Sequence, residues 1–137
     1  MSKVIEADRL ASVNEFIKVI GSCGRKFFRN DANDRFANME VDAQGKVWFI
    51  DDYTARRIYT HYERCWSGFS HGGTLRDLVR VFREHIKRGA RIHSTYFQAK
   101  SWMRSGHPWG YPEEDLRRLE SEGRRLGIVA EEQEQAS

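Results

Sequence analysis

The sequence has 137 residues, of which 39% are hydrophobic, a length and composition that suit one domain with its own core. No apolar run approaches the roughly 18 residues that a membrane-spanning helix needs. The N-terminal residues lack the apolar segment of a signal peptide, and two cysteines are too few for a disulfide framework. These features exclude membrane-spanning and disulfide-rich secreted classes, and they predict a cytoplasmic protein with no membrane partner.

The net charge is only +3, but the charges are segregated along the chain. Residues 56–104 contain eleven Lys or Arg and three acidic residues, whereas residues 113–137 contain four arginines and eight acidic residues. This distribution predicts a basic working surface. We expect a single folded domain over residues 1–130, followed by an acidic, disordered tail over residues 131–137.

The first predicted element is an amphipathic helix over residues 8–20, which Gly21 is expected to end. Its apolar face comprises Leu10, Val13, Phe16, Ile17 and Ile20. Residues 25–30 contain adjacent phenylalanines and predict a short strand.

The middle of the chain predicts an antiparallel β-meander with strands over residues 36–41, 46–50 and 57–62. Residues 42–45 are expected to form the first hairpin loop, with a glycine where a positive φ is needed. Two apolar faces follow the strands: Val47, Phe49 and Ile58 on one, and Trp48, Ile50 and Tyr59 on the other. We therefore expect a helix to cover one face of the sheet and the other face to be partly covered.

A second amphipathic helix is predicted over residues 75–87. Its apolar face comprises Leu75, Leu78, Val79, Phe82 and Ile86. Thr74 is the expected N-cap, with Asp77 reaching back to the cap amide, and Gly89 is expected to end the helix in the left-handed conformation.

Further helices are predicted over residues 94–104 and from Pro112 to about residue 126. The predicted architecture is therefore an α+β domain. An antiparallel meander of three or four strands is packed by the N-terminal helix and the helix over residues 75–87, with the further helices at the C-terminal end.

One side of the second helix carries the strongest functional signal, a basic stripe beside the apolar face that comprises Arg76, Arg80, Arg83 and Lys87. Like charges at i,i+4 disfavour the isolated helix by about 0.2–0.5 kcal/mol per pair. The stripe therefore calls for an anionic counterpart, which could be nucleic-acid phosphate, an acidic protein surface or the chain's own acidic residues. Arg56, Arg57 and Arg91 are interpreted as auxiliary cations.

Aromatic residues near chain turns and helix ends are interpreted as contacts for a partner, because interface hot spots favour Trp, Tyr and Arg. These residues are Trp66, Phe69, Trp102, Trp109 and Tyr111. Basic and aromatic residues also interleave over residues 25–29, 56–59 and 96–104, a pattern that can combine phosphate contacts with stacking. We therefore predict a non-enzymatic protein that binds nucleic acid or an acidic protein, such as an adaptor or inhibitor from a mobile element.

The entrance to the second helix supports an alternative function. Gly72 and Gly73 precede the exposed amides of a helix N-terminus, where an anion can bind, and His71 could add a proton-dependent donor. No phosphate-loop or dinucleotide-binding pattern accompanies them. A small-molecule site for a nucleotide or phosphate, in a binding protein or an enzyme, is thus placed at residues 70–74, with Thr74 at its end.

Metal and nucleophile chemistry find little support in the sequence. His61 and Cys65 have an H-x3-C spacing, with His71 and Cys23 as further ligand candidates, but no C-x2-C pair accompanies them. Residues 51–52, two adjacent aspartates, are interpreted as turn chemistry. No metal, cofactor or catalytic residue is predicted.

Overall fold

The computed structural model describes residues 2–63, 66–97 and 109–130. They form three α-helices and five short strands: α1 (Ser2–Ser22), β1 (Arg29–Asn30), β2 (Arg35–Phe36), β3 (Asn38–Val41), β4 (Val47–Ile50), β5 (Arg57–Tyr59), α2 (Gly73–Arg88) and α3 (Glu113–Arg125). A 3₁₀ helix (Ser94–Phe97) lies between α2 and α3. The architecture is α+β, as predicted.

The strands form two small antiparallel sheets, so the predicted meander of three or four strands is only roughly matched. β1 pairs with β2, and β3, β4 and β5 form a three-stranded sheet in that order. Phe36, predicted at the start of the first meander strand, instead pairs with Arg29. Phe28, immediately before β1, and Asp34, in the turn between β1 and β2, both have positive φ angles.

The N-terminal helix is longer than predicted, because α1 continues through Gly21 to Ser22. A Cβ atom at Gly21 would lie 2.7 Å from the ring of Phe36. The glycine therefore allows β2 to pack closely against the last turn of α1 and does not end the helix. Of the five predicted apolar residues, four are fully buried and Leu10 is partly buried; the four are Val13, Phe16, Ile17 and Ile20.

α2 begins differently from the prediction. Gly72 is its N-cap, no side chain caps the helix, and Thr74 lies inside the first turn. Asp77 is 3.8 Å from the guanidinium of Arg80 and forms no cap contact. The C-terminal prediction is confirmed, since Gly89 has a φ of 77° and donates its N–H to the carbonyl of His85.

The core lies between the inner face of the three-stranded sheet and the helices. Every predicted apolar residue of α2 is buried, as are Val47, Phe49 and Ile58 on the sheet. The ring of Phe16 makes edge contacts with Phe82 and with Phe97, so one side chain of α1 joins α2 to the 3₁₀ helix.

The C-terminal segment packs back on this core. Pro112 is the N-cap of α3 and not its first helical residue, and the first turn carries the predicted acidic residues. Of the helix predicted over residues 94–104, the described part is the 3₁₀ turn; the rest and the predicted tail over residues 131–137 lie outside the described residues. Among the residues described, no helix has the length and apolarity to cross a membrane.

His85 is buried near the C-terminal end of α2, where its Nδ1–H donates to the carbonyl of Ala90 at 2.8 Å. Burial lowers the pKa of His85, and the charges of Arg9 and Arg91 lower it further. The hydrogen bond to Ala90 raises the pKa but does not outweigh them. The unfolded chain takes up a proton near pH 6.5 while the folded chain stays neutral. Stability should therefore fall as the pH drops below about 6.5, by at most about 1.4 kcal/mol per pH unit from this residue.

Urea unfolding at pH 7.5 and pH 5.5 checks this expectation. His85→Gln should reduce the difference in unfolding free energy between the two pH values. An unchanged pH dependence in the variant would contradict it.

Candidate anion-binding surface

The basic stripe of α2 lies along one side of the three-stranded sheet. Arg83 donates to the carbonyl of Thr60, and Arg80 donates to the carbonyl of Tyr62 at 3.3 Å. At the other end of the helix, Lys87 donates to the carbonyl of Gly45 at 2.9 Å. Backbone carbonyls just after β5 and in the β3–β4 loop thus hold three of the four cations in place.

Acidic side chains of the chain itself form ion pairs with part of the basic stripe. Lys87 pairs with Glu6 of α1 at 2.9 Å, and Arg83 pairs with Glu84 at 3.0 Å. The guanidinium carbon of Arg80 lies 5.3 Å from the ring centroid of Trp66. A guanidinium nitrogen of Arg80 lies 3.8 Å from a carboxylate oxygen of Asp77. One of the three counterparts considered from the sequence, the chain's own acids, is therefore present. Such pairs at the surface contribute little stability.

Three aromatic side chains contact one another on the outer side of the sheet and just beyond β5, and we call them the aromatic platform: Trp48, Tyr59 and Tyr62, the last of which stands edge-on to Tyr59. Trp48 and Tyr59 are direct cross-strand partners with ring centroids 5.1 Å apart. Tyr62 lies 5.2 Å from Tyr59 and is 56% exposed. The face is therefore an aromatic surface open to solvent at its Tyr62 end.

Two cations lie against rings of the aromatic platform. The guanidinium carbon of Arg57 lies 4.0 Å from the centroid of Trp48, and Lys46 lies 5.6 Å from that of Tyr59. Arg57 is also 4.0 Å from Glu40, a long and exposed ion pair. Of the auxiliary cations predicted from the sequence, Arg57 is therefore part of this surface.

The other two auxiliary cations lie elsewhere. The side chain of Arg56 packs over Gly68, where a Cβ atom would lie only 2.4 Å from its Cδ. Arg91 lines a separate cavity beside Arg9 and Gly89. The structure therefore does not bring Arg91 to the stripe.

His61 lies beside the aromatic platform, near cations of α2. Its ring lies 5.2 Å from that of Tyr59. Partial burial lowers the pKa of His61, and the nearby cations of α2 lower it further; these are Arg83, Lys87 and Arg88. Glu84 acts in the opposite direction, and burial is the largest cause of the shift.

The predicted anion site at the entrance of α2 takes a defined shape. His71, Gly72, Gly73 and Arg76 line an open cavity of about 250 Å³, with Trp66 and Phe69 as its apolar wall. Thr74 is exposed at the start of the helix and does not line the cavity.

Behind the cavity, His71 is held by a buried carboxylate. Its Nε2 is 2.6 Å from Oδ1 of Asp52, which is fully buried. The imidazole also makes edge contacts with the rings of Phe28 and Phe69, at centroid distances of 5.1 and 5.6 Å. Sequence reasoning missed this pair because the two residues are 19 positions apart and the aspartate resembled an ordinary turn residue.

Asp51 organises the same turn. Its carboxylate accepts hydrogen bonds from the backbone of Tyr53, Thr54 and Ser70 and from the Ser70 hydroxyl. Burial opposes ionisation, but these four bonds outweigh it and hold the pKa of Asp51 below its ordinary value. The adjacent aspartates thus do supply turn chemistry, and they also link the β4–β5 turn to the entrance of α2.

Asp51, Asp52 and His71 place three potential metal-ligating atoms within 4.8 Å of one another. The arrangement does not suit a metal ion. The four hydrogen bonds to Asp51 occupy the lone pairs of both oxygens, and Nε2 of His71 already contacts Asp52. Of the ligands considered from the sequence, Cys65 lies outside the described residues, and Cys23 donates to the carbonyl of Val19.

Most of the aromatic residues interpreted as partner contacts are core residues instead. Trp66, Trp109 and Tyr111 are each at most 5% exposed, and Phe69 packs partly buried between Phe49 and Trp66. Trp102 lies outside the described residues. The aromatic side chains of the platform are partly or largely exposed beside cations, as are Phe27 beside Arg25 and Phe36 beside Arg29.

Comparison with known proteins places the chain in a family. The family model named YoqU matches residues 3–135. The chain belongs to the YoqU family. A curated relative, the SPbeta prophage-derived uncharacterized protein YoqU of Bacillus subtilis (strain 168), is 28% identical over 124 residues, which cover 88% of this chain and 82% of the relative. No solved structure matches the chain.

The YoqU match begins at the second residue of α1 and spans all the other elements described above. The aromatic platform, the basic stripe and the cavity at the entrance of α2 all lie within the family's domain and not in an appended segment.

Proposed function

We propose that this YoqU-family protein is a non-enzymatic binding protein that holds single-stranded nucleic acid on the aromatic platform and the basic stripe beside it. The proposal rests on one observation, which is that the basic stripe lies directly beside the aromatic platform. Arg80 and Arg83 contact the carbonyls of Tyr62 and Thr60, so the cations of α2 flank the residue that opens the platform to solvent.

The chemistry of the surface supports a single strand. Unpaired bases stack on aromatic faces, and each stacked base contributes about 1–3 kcal/mol. A duplex hides its base faces and could use only the cations. Tyr62 offers an exposed ring on which a base can stack, and Lys46, Arg57 and the stripe supply positive charge beside the platform.

The prophage origin of the curated relative accords with the mobile-element role expected from the sequence. A protein of this kind would act as an adaptor or inhibitor by occupying a nucleic-acid strand that another protein needs. An acidic protein partner is the competing form of the same proposal, and it uses the charges but not the stacking.

Fluorescence anisotropy with labelled oligonucleotides tests the proposal. Three or four phosphate contacts predict a slope of about −2 to −3 in a plot of log affinity against log salt for a single strand. Tyr62→Ala should weaken binding roughly 5- to 100-fold, because it removes one stacking face. The side chain is 56% exposed, so the substitution leaves the core intact.

Tyr53→Ala is the matched control, because Tyr53 is also 56% exposed but contacts the ring of His71. It should leave oligonucleotide affinity unchanged. A flat salt response, or equal effects of the two substitutions, would refute the proposal. Equal affinity for duplex and single strand would show that stacking has no part in binding.

A further inference from the structure

We propose that His61 is a further contact of the nucleic-acid strand, and that its imidazole takes up a proton from solvent when a backbone phosphate lies beside it. Binding of the strand therefore strengthens as the pH falls. This inference rests on the function proposed above, because it assigns a role to a residue of the same surface.

The position of His61 is the first argument. The residue is exposed and lies between the two residues whose backbone carbonyls accept hydrogen bonds from Arg80 and Arg83. Its ring lies 5.2 Å from that of Tyr59, at an angle of 40° between the ring planes. The imidazole thus stands where the aromatic platform meets the basic stripe. A strand that stacks on Tyr62 and contacts the stripe with its phosphates passes this ring.

The ring nitrogens of His61 are available to a ligand, because neither forms a hydrogen bond with another described residue. Glu84, the acidic residue of α2 that acts on the imidazole, pairs with Arg83 at 3.0 Å and with Arg88. Burial opposes the ionisation of Glu84, but the hydrogen bond from Arg83 and the charge of Arg88 outweigh it and hold the pKa of Glu84 below its ordinary value. Glu84 therefore stays ionised between pH 5.5 and pH 7.5.

The free protein keeps His61 neutral at pH 7.5. Partial burial is the largest cause that lowers its pKa below the ordinary value of about 6.5. On the sheet side the ring meets Tyr59, and Lys46 lies 5.6 Å from the centroid of that tyrosine. The charged groups that act on the imidazole from α2 are three cations that lower the pKa and one acid that raises it, namely Arg83, Lys87, Arg88 and Glu84.

A bound phosphate changes this balance, because a negative charge close to the imidazole favours its protonated form. A group whose pKa is higher in the complex than in the free protein takes up a proton on binding. By linkage, the affinity rises as the pH falls through the pKa of the complex, and it stops rising below the pKa of the free protein. Uptake of one proton limits the rise to about tenfold per pH unit.

Fluorescence anisotropy at constant salt tests this inference, with a thymidine oligonucleotide that has no terminal phosphate and carries a dye insensitive to pH. Neither its bases nor its phosphodiesters titrate between pH 5.5 and pH 7.5. The affinity of the unmodified protein should rise roughly 3- to 30-fold as the pH falls over that range.

Three substitutions locate the proton. His61→Gln removes the titrating group and should abolish the rise, whereas His61→Lys supplies a permanent cation and should give a high affinity at both pH values. His93→Gln is the matched control and should keep the rise. It removes another exposed histidine, which follows the residue that pairs with Val129.

The outcomes separate this inference from the proposed function. A rise that persists in His61→Gln, a rise that is lost equally in His93→Gln, or an affinity of the unmodified protein that does not change with pH would each overturn the role of His61. Strand binding that depends on Tyr62 would survive any of these results. Absence of strand binding at every pH would overturn the proposed function and this inference with it.

Discussion

Replacing Asp51 with alanine is expected to lower the free energy of unfolding by about 3–5 kcal/mol. Asp51 is fully buried and accepts four hydrogen bonds within 3.0 Å. Alanine would leave three backbone N–H groups and one hydroxyl without their acceptor. Because the donors come from Tyr53, Thr54 and Ser70, the substitution releases the β4–β5 turn and the entrance of α2 together.

The effect of Asp51 should depend on pH in a defined direction. The pKa of its folded carboxyl lies below the ordinary value of about 3.9. Its stabilisation is therefore present at neutral pH and is lost as the pH falls through the folded pKa. Urea unfolding should show a smaller deficit for Asp51→Ala at pH 2.5 than at pH 7.

Asp31→Ala is a suitable control, because that carboxylate is exposed and makes only ion pairs of 3.4 and 3.7 Å. Its effect should stay within about 0.5 kcal/mol. A deficit below about 1 kcal/mol for Asp51→Ala at pH 7 would contradict the role assigned to the four hydrogen bonds.

Helix α2 was the most predictable part of the fold. Its apolar residues recur at helical spacing, and all five are buried in the structure. Gly89 ends the helix in the left-handed conformation that a glycine adopts readily. Both signals are local, so they can be read without knowledge of what the helix packs against.

The errors concern residues whose conformation depends on distant contacts. Gly21 resembles a helix stop, but its lack of a side chain serves the packing of Phe36. Thr74 resembles an N-cap, but the hydrogen bonds from Ser70 to Asp51 fix the preceding chain, and the helix starts two residues earlier than predicted, at Gly73. In both places tertiary packing decided among conformations that the local sequence allowed.

In the candidate sites, too, the features set by local sequence could be predicted and those set by distant contacts could not. Helical spacing placed the cations of the stripe on one side of α2, and the structure keeps them there. Their neighbours could not be predicted, because the carbonyls of Thr60 and Tyr62 approach α2 only when β5 packs beside it. The pairing of Asp52 with His71 likewise arises from the turn that Asp51 closes, which has no periodic signal in the sequence.

Tyr111 shows how an aromatic residue in a turn can be a structural anchor and not a partner contact. Its hydroxyl donates to the carbonyl of Ile20 at 2.8 Å and accepts from the N–H of Phe27 at 2.9 Å. Its ring fills the space beside Gly24, where a Cβ atom would lie only 2.1 Å away. Burial raises the pKa of Tyr111, so the hydroxyl remains a donor at any ordinary pH.

Tyr111→Phe should therefore lower the free energy of unfolding by about 2–4 kcal/mol, because it leaves one buried carbonyl and one buried N–H without partners. The ring and its packing are retained, so the loss measures the hydroxyl alone. Tyr62→Phe removes a hydroxyl from an exposed ring and should change stability by less than about 0.5 kcal/mol. Urea unfolding of both variants compares them directly. Equal, small losses would mean that the hydroxyl of Tyr111 does not fasten the end of α1 to the start of α3.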